Sequence, residues 1–196
     1  MCRSKQCGGI GFQNLQAFNL AMLAKQGWQI LTNPDTLMAR VYKAFPFDDV
    51  LNSKKGSNPS YAWRSIYNSL DVIRKGTRWR VGNGRKIHIW EDKWLPIPST
   101  YKVVSPVKEF ADFPMVSSLI DEDTRWWKVN IIHSLFLPSE AEAILRIPLS
   151  SNLPEDKLIW IGNKKATFIV KSAYYIAASM VIPNLDGECS SCTPNS

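Results

Sequence analysis

The sequence predicts an α+β fold: a helical N-terminal half, a central β-hairpin, further short helices and a second hairpin near the C-terminus. Three observations predict it. Apolar residues recur at three- and four-residue spacing before Gly76, the pattern switches to alternation between Thr77 and Trp90, and alternating β-formers return between Lys157 and Val170. The 196 residues are 45% apolar and 21% charged, a globular rather than a disordered composition. The longest apolar stretch, Tyr174 to Ile182, is about half the ~20 residues a bilayer span needs. No transmembrane helix and no membrane partner are therefore expected. Met1 to Gly9 is polar and lacks the apolar centre of a secretory signal.

Leu15, Phe18 and Met22, interleaved with Leu20, Leu23, Trp28 and Leu31, predict an amphipathic helix over about 14–31 that stops before Asn33-Pro34. Asn33 is expected to cap a second helix, with Pro34 at its first position and Leu37, Val41 and Phe45 on its buried face. The signature recurs at Asn58-Pro59, where Trp63, Ile66, Leu70 and Ile73 form one stripe before a stop at Lys75-Gly76. Phe47 to Ser57 reads as a loop. A three-residue connection at Gly82-Asn83-Gly84 pairs Trp79 with Ile87, Thr77 with Ile89, Arg80 with Lys86 and Arg78 with His88. That register puts Trp79, Val81, Ile87 and Ile89 inside and Arg78, Arg80, Lys86 and His88 outside. A two-residue Asn83-Gly84 loop would mix polar with apolar on both faces.

Beyond Pro96, Pro98, Pro106 and Pro114, a helix is expected from Asp123/Thr124 through Trp127, Ile131 and Leu135, and a short one after Pro138-Ser139. Lys157 to Val170 reads as the second hairpin, turning near Gly162 to Lys165, and Ser172 as the cap of a last helix. Trp28, Trp63, Trp126, Trp127 and Trp160 sit at helix or strand spacing, so core is expected for most. The chain thus divides into a helical basic segment (1–76), a basic hairpin (77–95), a mixed segment (96–180) and a loose tail (181–196).

The net charge of +7 is unevenly placed. Met1 to Trp90 holds 14 Lys/Arg against 4 Asp/Glu, whereas Glu91 to Ser196 holds 10 against 13. The first half is therefore the polyanion-facing candidate. Within it, Arg74, Lys75, Arg78, Arg80, Arg85 and Lys86 crowd a stretch with no acid, joined by His88 and Trp90. Such cations release counterions from a nucleic-acid backbone, and an exposed indole stacks on single-stranded bases. These eight residues are the candidate nucleic-acid site.

Other constellations carry less chemistry. Asp48-Asp49 resembles a polymerase metal pair but sits in a loop beside Pro46, without the further carboxylates that two-metal catalysis needs. Asp121-Glu122-Asp123 suits a helix start, where acids complement the dipole. Cys2, Cys7, Cys189 and Cys192 would complete a zinc site only if the termini met, and His88 and His133 make no ligand pair. Gly8-Gly9-Ile10-Gly11 lacks the lysine that ends a phosphate-binding loop. No catalytic residue, no metal and no cofactor is expected.

The strings Gly8-Gly9-Ile10-Gly11-Phe12, Asn19 to Trp28, Gly56 to Ser65, Arg78-Trp79-Arg80-Val81-Gly82-Asn83-Gly84 and Ile89 to Pro96, with Ile147 to Ser150 and Val170 to Tyr174, are familiar as a set. Over Gly8 to Ala178 the chain resembles the connecting region of plant LINE-type (non-LTR) retrotransposon polyproteins, between the reverse transcriptase and the zinc-binding and ribonuclease H segments. It is also similar to short uncharacterised reading frames of plant mitochondrial genomes. The resemblance implies descent from a mobile element, association with RNA or DNA at low specificity, and a mitochondrial or nuclear setting. It places the polymerase palm upstream of Met1 and the ribonuclease H carboxylates beyond Ala178, so no family catalytic residue maps onto this chain. A non-catalytic nucleic-acid-binding fragment is the first reading. An inactive remnant without specific function is the second, and part of an RNA-directed DNA polymerase the third.

Overall fold

The computed structural model describes residues 14–33, 35–42, 60–106, 114–163 and 165–181. Among them it is α+β with a helical N-terminal half, as the sequence predicts. Among the described residues there are six α-helices, α1 (Leu15–Thr32), α2 (Leu37–Tyr42), α3 (Tyr61–Gly76), α4 (Val129–Leu135), α5 (Pro138–Leu145) and α6 (Val170–Val181), with strands β1 (Thr77–Arg80) and β2 (Lys157–Trp160). None of the described helices is long and apolar enough to cross a membrane. The chain forms two compact units, one of residues 1–76 and 162–196 and one of residues 77–161. The cysteines, Asp48-Asp49, Gly8 to Gly11, Phe45, Asn58-Pro59 and the expected tail from Ile182 onward lie outside the described residues, while Val181 ends α6.

In the first unit α1 packs on α3 and α6. Its N-terminus is capped by Asn14, whose Oδ1 accepts from the Ala17 amide at 3.0 Å. The face that α1 buries is not the bulky stripe expected. Ala17, Ala21, Ala24, Gly27 and Ile30 are buried, while Leu15 is 81% exposed and Phe18 and Met22 also face outward. The reason is close approach: a Cβ at Gly27 would lie 3.0 Å from Ile73 Cδ1 and 3.4 Å from Ile66 Cγ2. Large residues on α3 leave room only for small ones on α1. The α3 stripe itself is as predicted, with Trp63, Ile66, Leu70 and Ile73 buried. In α2 the buried residue is Ala39, whereas Leu37 (75%) and Val41 (65%) are exposed. Asn33 closes α1, its N–H donating to the Gln29 carbonyl, and the Thr36 hydroxyl caps α2 instead. Ser60 caps α3.

The second unit is organised around Ile87, Ile89, Trp94, Leu95, Val116, Leu119, Ile132 and Ile144, all fully buried. Trp94 stacks on Trp127 with centroids 6.5 Å apart, and Trp90 stacks on Phe136 at 5.5 Å. Glu140, buried in the first turn of α5, accepts from the Val104 and Ser105 amides at 2.6 and 3.1 Å and from the Ser105 hydroxyl, pinning the 104–105 segment. The expected helix at Asp123 is a closed turn instead. Asp121 Oδ1 accepts from the Asp123 and Thr124 amides, and the helix starts only at Val129. Trp126 is 55% exposed, unlike the other tryptophans of this unit.

Neither expected hairpin closes on itself. β1 pairs antiparallel with β2, matching Thr77 with Trp160, Arg78 with Ile159, Trp79 with Leu158 and Arg80 with Lys157. The other edge of β1 is met by Lys93, whose carbonyl accepts from the Trp79 N–H at 2.6 Å. Ile87 to Ile89 pair with the 114–116 segment, the Val116 N–H donating to Ile87 O and the Ile89 N–H to Pro114 O, both at 2.9 Å. Downstream of β2 no second strand follows among the described residues: α6 begins at Val170, and Ser172 lies inside it, its hydroxyl donating to Ile169 O.

Candidate nucleic-acid interface

The reason β1 finds β2 lies in one carboxylate. Asp156, immediately before β2 and buried, accepts from the amides of Gly82 and Gly84 through Oδ1, at 2.8 and 2.9 Å, and from that of Lys86 through Oδ2 at 2.9 Å. The Gly-Asn-Gly segment is thus a nest of amides closed on an internal anion rather than a tight turn. Both glycines are required by space. A Cβ at Gly82 would collide with the Pro154 carbonyl oxygen, and Gly84 has φ +69 with a Cβ position 2.5 Å from Ser117 N. Seating Asp156 in this loop draws β2 alongside β1. That sets which cations share a surface.

Arg74 and Lys75 belong to the last turn of α3 in the first unit, and the other six candidate residues to the second unit. Most of the eight are already engaged. Arg74 pairs with Asp71 at 2.6 Å, Arg85 with Glu122 at 3.8 Å, Lys86 with Glu155 at 3.0 Å, and His88 Nδ1 stands 3.4 Å from Asp92. The Arg78 guanidinium is half-buried and donates to the Trp79 and Trp94 carbonyls at 3.4 Å. Burial pushes its pKa down, against an opposing electrostatic effect of Tyr101. Trp90 is half-buried with one ring face on Phe136. The expected single outer face of Arg78, Arg80, Lys86 and His88 is not formed, because the hairpin register that defined it is replaced by the β1–β2 pairing.

Arg80 and, in the first unit, Lys75 are exposed with no ion pair among the described residues, and strand pairing adds to Arg80 a residue that the sequence reading missed. Lys157 sits directly opposite Arg80, and both are exposed. Directly opposed residues have Cβ atoms roughly 4.5–5.5 Å apart, and like charges so placed destabilise the ribbon. Among the described residues no acid is paired with either. Arg78 is on the same side of the ribbon by alternation. Lys157 is invisible to a reading along the chain because it lies 77 positions from Arg80 and only the register unites them. Among the described residues no group of three His, Cys, Asp or Glu could hold a metal ion.

No protein-family model and no solved structure matches the chain. Among curated proteins, the "Uncharacterized mitochondrial protein AtMg00310" of Arabidopsis thaliana is 37% identical over 105 residues, which cover 50% of this chain and 68% of the relative. The "Putative ribonuclease H protein At1g65750" of the same plant is 34% identical over 101 residues, 48% of this chain but only 16% of that protein.

Proposed function

The chain belongs to the family of the uncharacterised mitochondrial protein AtMg00310, and we propose that it is a retrotransposon-related, non-catalytic fragment that binds the backbone of RNA or DNA with low sequence specificity. The observation that carries the proposal is the exposed Arg80–Lys157 pair, two cations held face to face on one ribbon with no acid between them. A phosphate lodged between them turns a repulsive pair into a bridging one, and the half-buried Arg78 extends the same side. Similarity to part of a protein named for ribonuclease H supports a mobile-element origin, and the LINE-type connector is the specific origin proposed.

Binding through two or three phosphate contacts gives a modest salt dependence, a slope of log affinity against log salt of roughly −1.5 to −2 for single strands. Fluorescence anisotropy with a labelled single strand, titrated between about 50 and 200 mM salt, measures it. Arg80→Ala with Lys157→Ala should flatten the slope and abolish most binding, with RNA and DNA affected alike. An unchanged slope in that variant refutes the site. Cleavage of an RNA–DNA hybrid, or primer extension, by the purified chain with Mg²⁺ or Mn²⁺ would refute the non-catalytic assignment.

A further inference from the structure

We propose that a cleft of about 360 Å³ beside the Gly82–Lys86 loop takes an unpaired guanine base of a single strand. The inference rests on the nucleic-acid reading above and adds a base preference to it. The volume lies within the range of small-molecule sites, roughly 300–1,000 Å³. Ile120 and Leu153 contribute apolar lining, and the exposed Arg85, Glu122 and Arg125 contribute charged lining. Arg85 Nη2 lies 3.8 Å from Glu122 Oε1, and both side chains are largely exposed, so the pair is open to an incoming ligand. Arg125 has a left-handed backbone, φ 54, and its guanidinium donates to the Ser151 carbonyl beside the cleft.

The mixed sign of the charged lining selects the ligand. A bare phosphate would meet Glu122 as well as the arginines, whereas an uncharged base uses both. The Watson–Crick edge of guanine carries the O6 acceptor next to the N1–H and N2–H donors. A carboxylate accepts from both donors while a neighbouring guanidinium donates to O6. Adenine offers one donor and one acceptor on that edge, and uracil a single N–H between two carbonyls. Asn83 also lines the cleft, its side-chain oxygen accepting from the Arg85 amide at 3.1 Å and its NH₂ being a further donor. Arginine on purine acceptors and a carboxylate on base N–H groups are both established base contacts.

The test compares a short oligouridine with the same strand bearing a central guanine, hypoxanthine or adenine. The guanine strand should bind roughly tenfold more tightly than oligouridine, within what one bidentate base contact discriminates. Hypoxanthine, lacking the N2 amino group, should fall between, and adenine close to uracil. Glu122→Gln should erase the preference, so that the guanine and uridine strands bind alike. Arg80→Glu with Lys157→Glu should weaken all four strands by one common factor. Equal affinity for the guanine and uridine strands overturns the cleft assignment and leaves backbone binding intact. If no strand binds, backbone binding fails, and a titration with guanosine monophosphate decides the cleft alone. Shifts of the Arg85, Ser117 and Asn152 amide resonances with it, and not with uridine monophosphate, support the cleft; unmoved resonances overturn it.

Discussion

At the scale of single residues, Asp156 holds more of the second unit's backbone than any other side chain described, since three amides converge on its carboxylate. Asp156→Ala leaves those donors without their partner. The loss should be about 2–4 kcal/mol, given 1–3 for each buried polar group left unsatisfied and partial relief by water. Urea unfolding measures it, and a loss under about 1 kcal/mol would mean the loop holds its shape unaided. Gly84→Ala tests the same loop from the other side and should be comparably harmful, since it combines a left-handed backbone with a clash against Ser117. Asp121 adds a pH dependence. Backbone hydrogen bonds from Thr124 and then Asp123 hold its carboxyl below the ordinary carboxylate value. A carboxylate whose pKa is lowered on folding stabilises the fold above its unfolded pKa of about 3.9, and that contribution disappears as pH falls through the lower folded value. Stability should therefore drop below about pH 4, and Asp121→Asn, which still accepts through its side-chain oxygen, should soften the drop. An unaltered acid limb in that variant would assign the acid sensitivity elsewhere.

At the scale of elements, the side-chain sizes on α1 and α3 are complementary, and this is where the sequence was legible only in part. The stripe of Trp63, Ile66, Leu70 and Ile73 could be read directly because bulky apolar side chains at helical spacing signal a buried face. Its partner could not, because Ala17, Ala21 and Ala24 bury little area each, and the more hydrophobic Leu15, Phe18 and Met22 outweigh them in any periodic reading. The close approach is tested by Ala21→Leu, which should destabilise by about 1–3 kcal/mol through overpacking, while Leu15→Ala stays within about 0.5 kcal/mol of wild type. The ribbon makes the same point about long range. The alternation at Thr77 to Arg80 and at Lys157 to Trp160 was readable as strand, but each strand's partner is set by Asp156, 74 positions from Gly82. Local pattern finds strands, and non-local hydrogen bonds choose their neighbours. Trp160 is fully buried and Trp79 half-exposed, so Trp160→Ala should cost about 3–5 kcal/mol and Trp79→Ala distinctly less. Equal losses would contradict the β1–β2 register.

At the scale of the whole molecule, the two units divide the charge differently from the two halves of the sequence. Residues 77–161 hold 11 Lys/Arg and 11 Asp/Glu, so the entire net +7 resides in the other unit. The acid-free run from Arg74 to Trp90 looked like a polyanion face because its counterions, Glu122, Glu155 and Asp92, arrive from later in the chain. What survives this neutralisation is local: two opposed cations in a unit with no net charge. On the reading we propose, the first unit supplies long-range attraction for a polyanion and the ribbon supplies the phosphate contacts. The variant that separates this account from a generic charge effect is Lys157→Glu, which converts the like-charged pair into an ion pair. Its affinity for a labelled single strand, at a salt concentration of about 50 mM, is the decisive measurement. Affinity should fall at least tenfold, on the order of 1.4 kcal/mol, while thermal stability is unchanged or slightly raised by the new cross-strand attraction. An affinity equal to that of the wild type, in a chain equally well folded, would contradict it.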